Sequence, residues 1–175
     1  MIAQTPWVER KFIFDFPVGL YPSLLERLRG TPARVTEMVN GLSDEVLMKK
    51  PNGKWSIKEQ IGHIIDIEEL HENRFREFEE GKANLSSADM LNKKTEEAHH
   101  NDQSIESLLT QLRETRMHFV QQLEQANEDL VSRRAMHPRL NVPMRLVDMV
   151  YFVCEHDDHH LVKMREIINQ SQSSR

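Results

Sequence analysis

The residues with the most chemistry to offer are histidines at helical spacing. His156 and His160 stand four positions apart. On a helix, that interval puts two imidazoles one turn apart on the same side, where both can meet a single ion. A lone histidine on an apolar face reads as a core residue hydrogen-bonded to a neighbour. Two such rings, one turn apart, need partners in the same place, and a metal satisfies both at once.

A third imidazole is available at His63, and three neutral imidazoles with one open position suit a catalytic divalent ion. Zinc and nickel fit that donor set best, and iron and manganese are compatible with it. His71 and Glu68 compete with His63, because both project more squarely onto the apolar face of their helix. Either is a candidate ligand or a group supporting one. Cys154 is the chain's sole cysteine, so an internal disulfide and a thiolate-rich zinc cluster are both excluded. Its place at the border of an apolar face reads as core packing.

Three further residues are candidates for catalysis. Asp157 follows His156 where metalloproteases of the His-Glu-x-x-His pattern carry their glutamate. Its shorter side chain argues against proteolysis and leaves it the role of orienting a ligand. His137 and Arg139 lie in a loop that could reach the open end of a bundle site, where an arginine fork would receive an anionic substrate. His159 falls away from the stripe containing His156 and His160. His99, His100 and His118 sit in polar surroundings and read as surface residues.

The elements that position these groups are helical. Leu20, Leu24, Leu25, Leu28, Val35, Met38, Val39 and Leu42 mark a first helix, interrupted at Gly30-Thr31-Pro32. Ser56 and Glu59 have capping-box spacing and open a second helix, whose apolar positions run from Ile57 to Phe78 and end at Gly81. Residues 81 to about 103 form a long polar crossover. A third helix follows, capped at Ser104, with Ile105, Leu108, Leu112, Phe119, Val120 and Leu123 on one stripe. The segment Glu128 to Pro143 is irregular, and a fourth helix runs from there to about Asn169. No alternating strand pattern is visible. The chain therefore reads as an all-α four-helix bundle, one domain over residues 1–175.

Lys and Arg number 23 against 28 Asp and Glu, for a net charge of −5, with no basic block to follow a phosphate backbone. Nucleic acid is not an expected partner. Trp7, Glu9 and Arg10 break up the start where a signal peptide would be apolar, and no run of about 18 apolar residues exists to cross a membrane. A cytoplasmic protein is expected.

Two stretches, Trp55-Ser56-Ile57-Lys58-Glu59 leading to Gly62-His63 and Glu155-His156-Asp157-Asp158-His159-His160, resemble the DinB-like (DinB/YfiT) superfamily of metal-binding four-helix bundles. The resemblance spans nearly the whole chain. It implies an up-down-down-up bundle with a metal at one end, held by His63, His156 and His160. It also implies frequent homodimers, and transferases or isomerases that use a low-molecular-weight thiol. A metal-dependent transferase acting on a small molecule is the leading expectation, followed by a metal-dependent hydrolase. A non-catalytic metal-binding bundle is the rival, marked by a fourth protein ligand such as Glu68 or His71.

Overall fold

A computed structural model describes residues 2–172 and shows the four-helix bundle expected from the sequence. Helices α1 (Tyr21–Arg29) and α2 (Thr31–Val39) together make the first arm, broken at Gly30, and α3 (Asp44–Leu47) is a short turn behind them. The second arm is α4 (Ile57–Glu79). The crossover contains α5 (Lys93–Glu97), and the third arm is α6 (Ile105–Leu123). Helix α7 (Glu128–Ser132) and the strands β1 (Arg134–His137) and β2 (Val142–Arg145) precede the fourth arm, α8 (Leu146–Gln172).

Helix α4 starts and stops where its sequence signals say. Ser56 Oγ accepts from Glu59 N at 3.2 Å while Glu59 returns a bond to Ser56 N at 2.8 Å, so two otherwise unpaired backbone donors are satisfied. At the other end Gly81 takes φ +70°, and Lys82 N and Gly81 N bond back to the Glu77 and Phe78 carbonyls. Ser104 caps α6 through Ser107 N.

The strands correct the expectation of a chain without any. β1 and β2 pair antiparallel, from Arg134 opposite Arg145 to His137 opposite Val142. The crossover joins them, with Met136 N donating to Ala83 O and Leu85 N to Met136 O. Each strand has four residues, and Pro143 removes a donor, so neither carries a legible alternating pattern. The hairpin delays the fourth helix until Leu146.

The apolar core is split into two parts. Phe75 and Phe78 of α4, Phe119, Val120 and Leu123 of α6, and Val147, Met149, Val150, Phe152, Val153 and Cys154 of α8 belong to one cluster. Ile57, Ile61 and Ile64, Leu108 and Leu112, and Leu161, Met164, Ile167 and Ile168 belong to the other. Between them the four arms turn polar residues inward: Thr31 on α2, Glu68 and His71 on α4, Arg116 on α6, and His156, Asp157 and His160 on α8. That polar band carries the site. No described helix is long and apolar enough to cross a membrane.

Candidate metal centre

His156 and His160 face the same side of α8, with their Nε2 atoms 3.1 Å apart. His63, in the second turn of α4, brings its ring centroid to 4.8 Å from His160 and 5.3 Å from His156. One ring nitrogen from each of the three lies within 4.8 Å of the others, a grouping that could hold a metal ion.

The outer nitrogens of two rings are fixed by hydrogen bonds. His160 Nδ1 donates to Gln60 Oε1 at 2.6 Å. His63 Nδ1 donates to Thr95 Oγ1 at 3.1 Å, and Thr95 passes its own proton to Asp66 at 2.9 Å. His100 Nε2 holds the same Asp66 oxygen at 2.8 Å. In both histidines the proton is therefore on Nδ1, and the Nε2 lone pair is free to face the centre. The third, His156, has a buried Nδ1 with no partner among the described residues.

Burial keeps the three rings neutral. It pushes the His63 pKa down to about 4, opposed by Asp66 and assisted by the neighbouring histidines. It drives His156 and His160 well below the usual imidazole range, with the charge of His63 adding to the effect on both and that of His160 to the effect on His156. Neutral imidazoles with inward lone pairs are the donors a divalent ion requires.

His100 corrects a sequence expectation, because it is buried, not on the surface. Its ring lies against Gly62, where an added Cβ would come within 2.2 Å of it, so the Gly62-His63 pair places one ligand and makes room for the residue that supports it. His99 and His118 are exposed as expected. His159 is half-buried and lines the cavity beside the triad, its ring 5.7 Å from Trp7 and 5.3 Å from His160, although its spacing had pointed it elsewhere. It is not part of the triad.

Glu68 and His71 do not join the three histidines. Glu68 accepts from Arg116 at 2.7 and 3.2 Å and from His71 Nδ1 at 3.2 Å. Burial opposes its ionisation, but the Arg116 charge and the His71 bond prevail and hold its carboxyl down at about 2. The other side of Arg116 grips Asp157, which also accepts from Thr31 Oγ1 at 2.7 Å. Asp157 thus anchors α8 to α2 and α6 and is turned away from the cavity. Its neighbours in the acidic-histidine stretch are also structural, with Glu155 paired to Arg10 and Arg27, and Asp158 to Arg27 and Arg34. Cys154 is in the core, its thiol pushed up to about 12 by burial.

Sequence reasoning missed Arg116, Gln60, Thr95, Trp7 and Trp55 as parts of the site. Arg116 had a signal, since it falls on the stripe of Leu112 and Phe119. The others come from different elements and are brought in by the fold. Trp55 lies 4.7 Å from the His63 ring and donates to Glu96, and Trp7 lies 5.1 Å from His156.

The triad opens on a cavity of about 740 Å³, roofed by the N-terminal segment, the residues before α4, the crossover and the hairpin turn. His71, His137 and Arg139 are in its lining. The DinB superfamily model matches residues 27–163, which includes all three histidines. The chain belongs to the DinB superfamily. This DinB-superfamily chain has the fold of YfiT from Bacillus subtilis, at a TM-score of 0.79 over 94% of each chain and 18% identity. That structure is described as a probable metal-dependent hydrolase with an unusual four-helix bundle topology. Comparison with curated proteins finds no match.

Proposed function

We propose that the chain is a divalent-metal enzyme, with a hydrolytic reaction as the primary reading. The observation that carries it is the convergence of three neutral imidazoles at the wall of a large cavity, with Glu68 committed to Arg116 and so not available to close the fourth position. His63, His156 and His160 would hold the ion through Nε2. A bound divalent ion lowers the pKa of a water or thiol, so that a nucleophile is available at neutral pH.

The chain's own groups supply the rest. Gln60 and Thr95 keep the protons of His160 and His63 on their outer nitrogens. His71, held by Glu68 through Nδ1, is in the cavity lining, and the role proposed for its other ring nitrogen is to take a proton from the attacking group. Trp7 and Trp55 flank the triad and limit water around it.

Hydrolysis is placed ahead of thiol transfer because the structurally similar YfiT is described as a probable hydrolase. Thiol-dependent transfer is the second reading, favoured by a cavity with room for both a small thiol and a substrate. The ion is zinc or nickel by donor type. A small-molecule substrate, a cytoplasmic setting and a homodimer belong to the same reading.

The test is turnover of an ester and amide panel by zinc- and nickel-loaded protein, with and without an added thiol. Hydrolysis without thiol, lost in His156→Ala, supports the primary reading. Turnover only with thiol supports the second. A loaded protein inert to both would make the centre non-catalytic.

A further inference from the structure

At the hairpin side of the same cavity stand three basic groups, His137, Arg139 and Arg74, and two of them have a buried donor with no partner among the described residues. His137 is 2% exposed, and its Nδ1 accepts from Leu140 N at 3.2 Å. The proton of this ring is therefore on Nε2, a buried donor with no acceptor. Arg139 sits over the faces of Trp7 and Phe152, at 5.7 and 5.6 Å, and its buried Nη2 also has no partner. Arg74, 3% exposed, spends Nε and Nη2 on the single carbonyl of Ser86.

Charge is out of balance there as well. Arg116, the other deeply buried arginine, is clasped by two carboxylates. Among the described residues neither Arg74 nor Arg139 is ion-paired. Glu77 acts on Arg74 only from a distance, its oxygens being taken by Ser86 N, Ser86 Oγ and Asn73. Burial, followed by the charges of Arg74 and Arg139, pushes the His137 pKa down to about 4, so the three groups feel one another. Buried donors without acceptors and a buried charge without an ion-pair contact are costly, and one anion would relieve both.

The geometry points to a carboxylate-binding subsite formed by His137 Nε2, Arg139 Nη2 and the Arg74 guanidinium, which would seat the acid group of a small organic acid beside the triad. The two orphaned donors match the two oxygens of a carboxylate, while Arg74, its Nε and Nη2 held by Ser86 O, contributes charge; a phosphate's third oxygen would find no orphaned donor. Trp7 links the two halves of the cavity, touching Arg139 on one side and the His156 ring on the other. The acid's apolar body would lie along Trp7 and Phe152. That this acid is the substrate rests on the metal-enzyme reading; that the subsite binds it does not.

The experiment is calorimetric titration of metal-free full-length protein with phenylacetate, its uncharged isostere phenylacetamide, and phenyl phosphate. Phenylacetate should bind at least about tenfold more tightly than the amide, and Arg139→Gln should erase that margin, the scale expected for one charge-assisted hydrogen bond. His137→Phe, which removes the second donor at a separate residue, should weaken the acid similarly. Circular dichroism establishes that each variant is folded. Equal binding of acid and amide, tighter binding of phenyl phosphate, or acid binding indifferent to Arg139→Gln and His137→Phe would each overturn the subsite. Because the titrations use metal-free protein, failure of the metal reading would leave them standing, and failure of the subsite would leave metal binding untouched.

Discussion

His160 Nε2 and His156 Nε2 face each other across 3.1 Å at the centre of the bundle, one helical turn apart. Since His160 donates from Nδ1 to Gln60, its Nε2 is a lone pair, and without an ion the proton between the rings must come from His156 Nε2. Loading an ion would move that proton to His156 Nδ1, which has no partner among the described residues. His156 is thus the ligand with the least support, and His63 and His160 the preset ones.

Support for His63 runs through one hydroxyl. Thr95→Val keeps the shape of the side chain but removes both the acceptor for His63 Nδ1 and the bond to Asp66. Metal affinity should fall by about 10- to 100-fold, the usual effect of losing a group that orients a ligand. Competition titration against a chromogenic chelator measures it, and an unchanged constant would mean that Thr95 does not orient the ring.

Arg116→Met would leave Glu68 and Asp157 as two buried carboxylates with no cation between them. The expected loss of stability is about 3–5 kcal/mol, from breaking a buried ion pair on one side only. Denaturant unfolding gives the value. A loss below about 1 kcal/mol, the scale of an exposed pair, would show that water reaches this cluster.

Acid should destabilise the metal-free protein over a defined range. His63, His137 and His159 are each pushed down to about 4 by burial, and His156 and His160 are also lowered. Between the ordinary imidazole pKa near 6.5 and about 4 the unfolded chain binds more protons than the folded one, so stability rises with pH there. It is complete above about 6.5 and is lost as pH falls toward 4. Thermal melts from pH 4 to pH 8 test this, and a flat profile between pH 4 and 6.5 would contradict neutral buried histidines.

Much of this arrangement was legible in the residues. The capping box at Ser56 and Glu59, the stop at Gly81 and the spacing of His156 and His160 are local signals, and the fold obeys them. What the sequence hid is long-range. His100 looks like a surface residue because its neighbours are polar, yet the absent side chain of Gly62 gives it a place to pack. Glu68 looks like a ligand until Arg116 arrives from another helix. Asp157 looks catalytic by its position after His156, but the direction of its side chain is decided by Thr31 and Arg116, far away in the chain. The hairpin holding His137 and Arg139 is shaped by pairing with the crossover, which no short window contains.

The central claim is best tested by the metal content of purified, untagged protein, measured by elemental mass spectrometry beside His156→Ala, His160→Ala and His159→Ala. The expected result is one ion per chain, lost in the first two variants and kept in His159→Ala, which lines the cavity but stands outside the triad. Full metal in both His156→Ala and His160→Ala would contradict the site. An empty wild type that stays empty after incubation with zinc, nickel or manganese would contradict the metal itself.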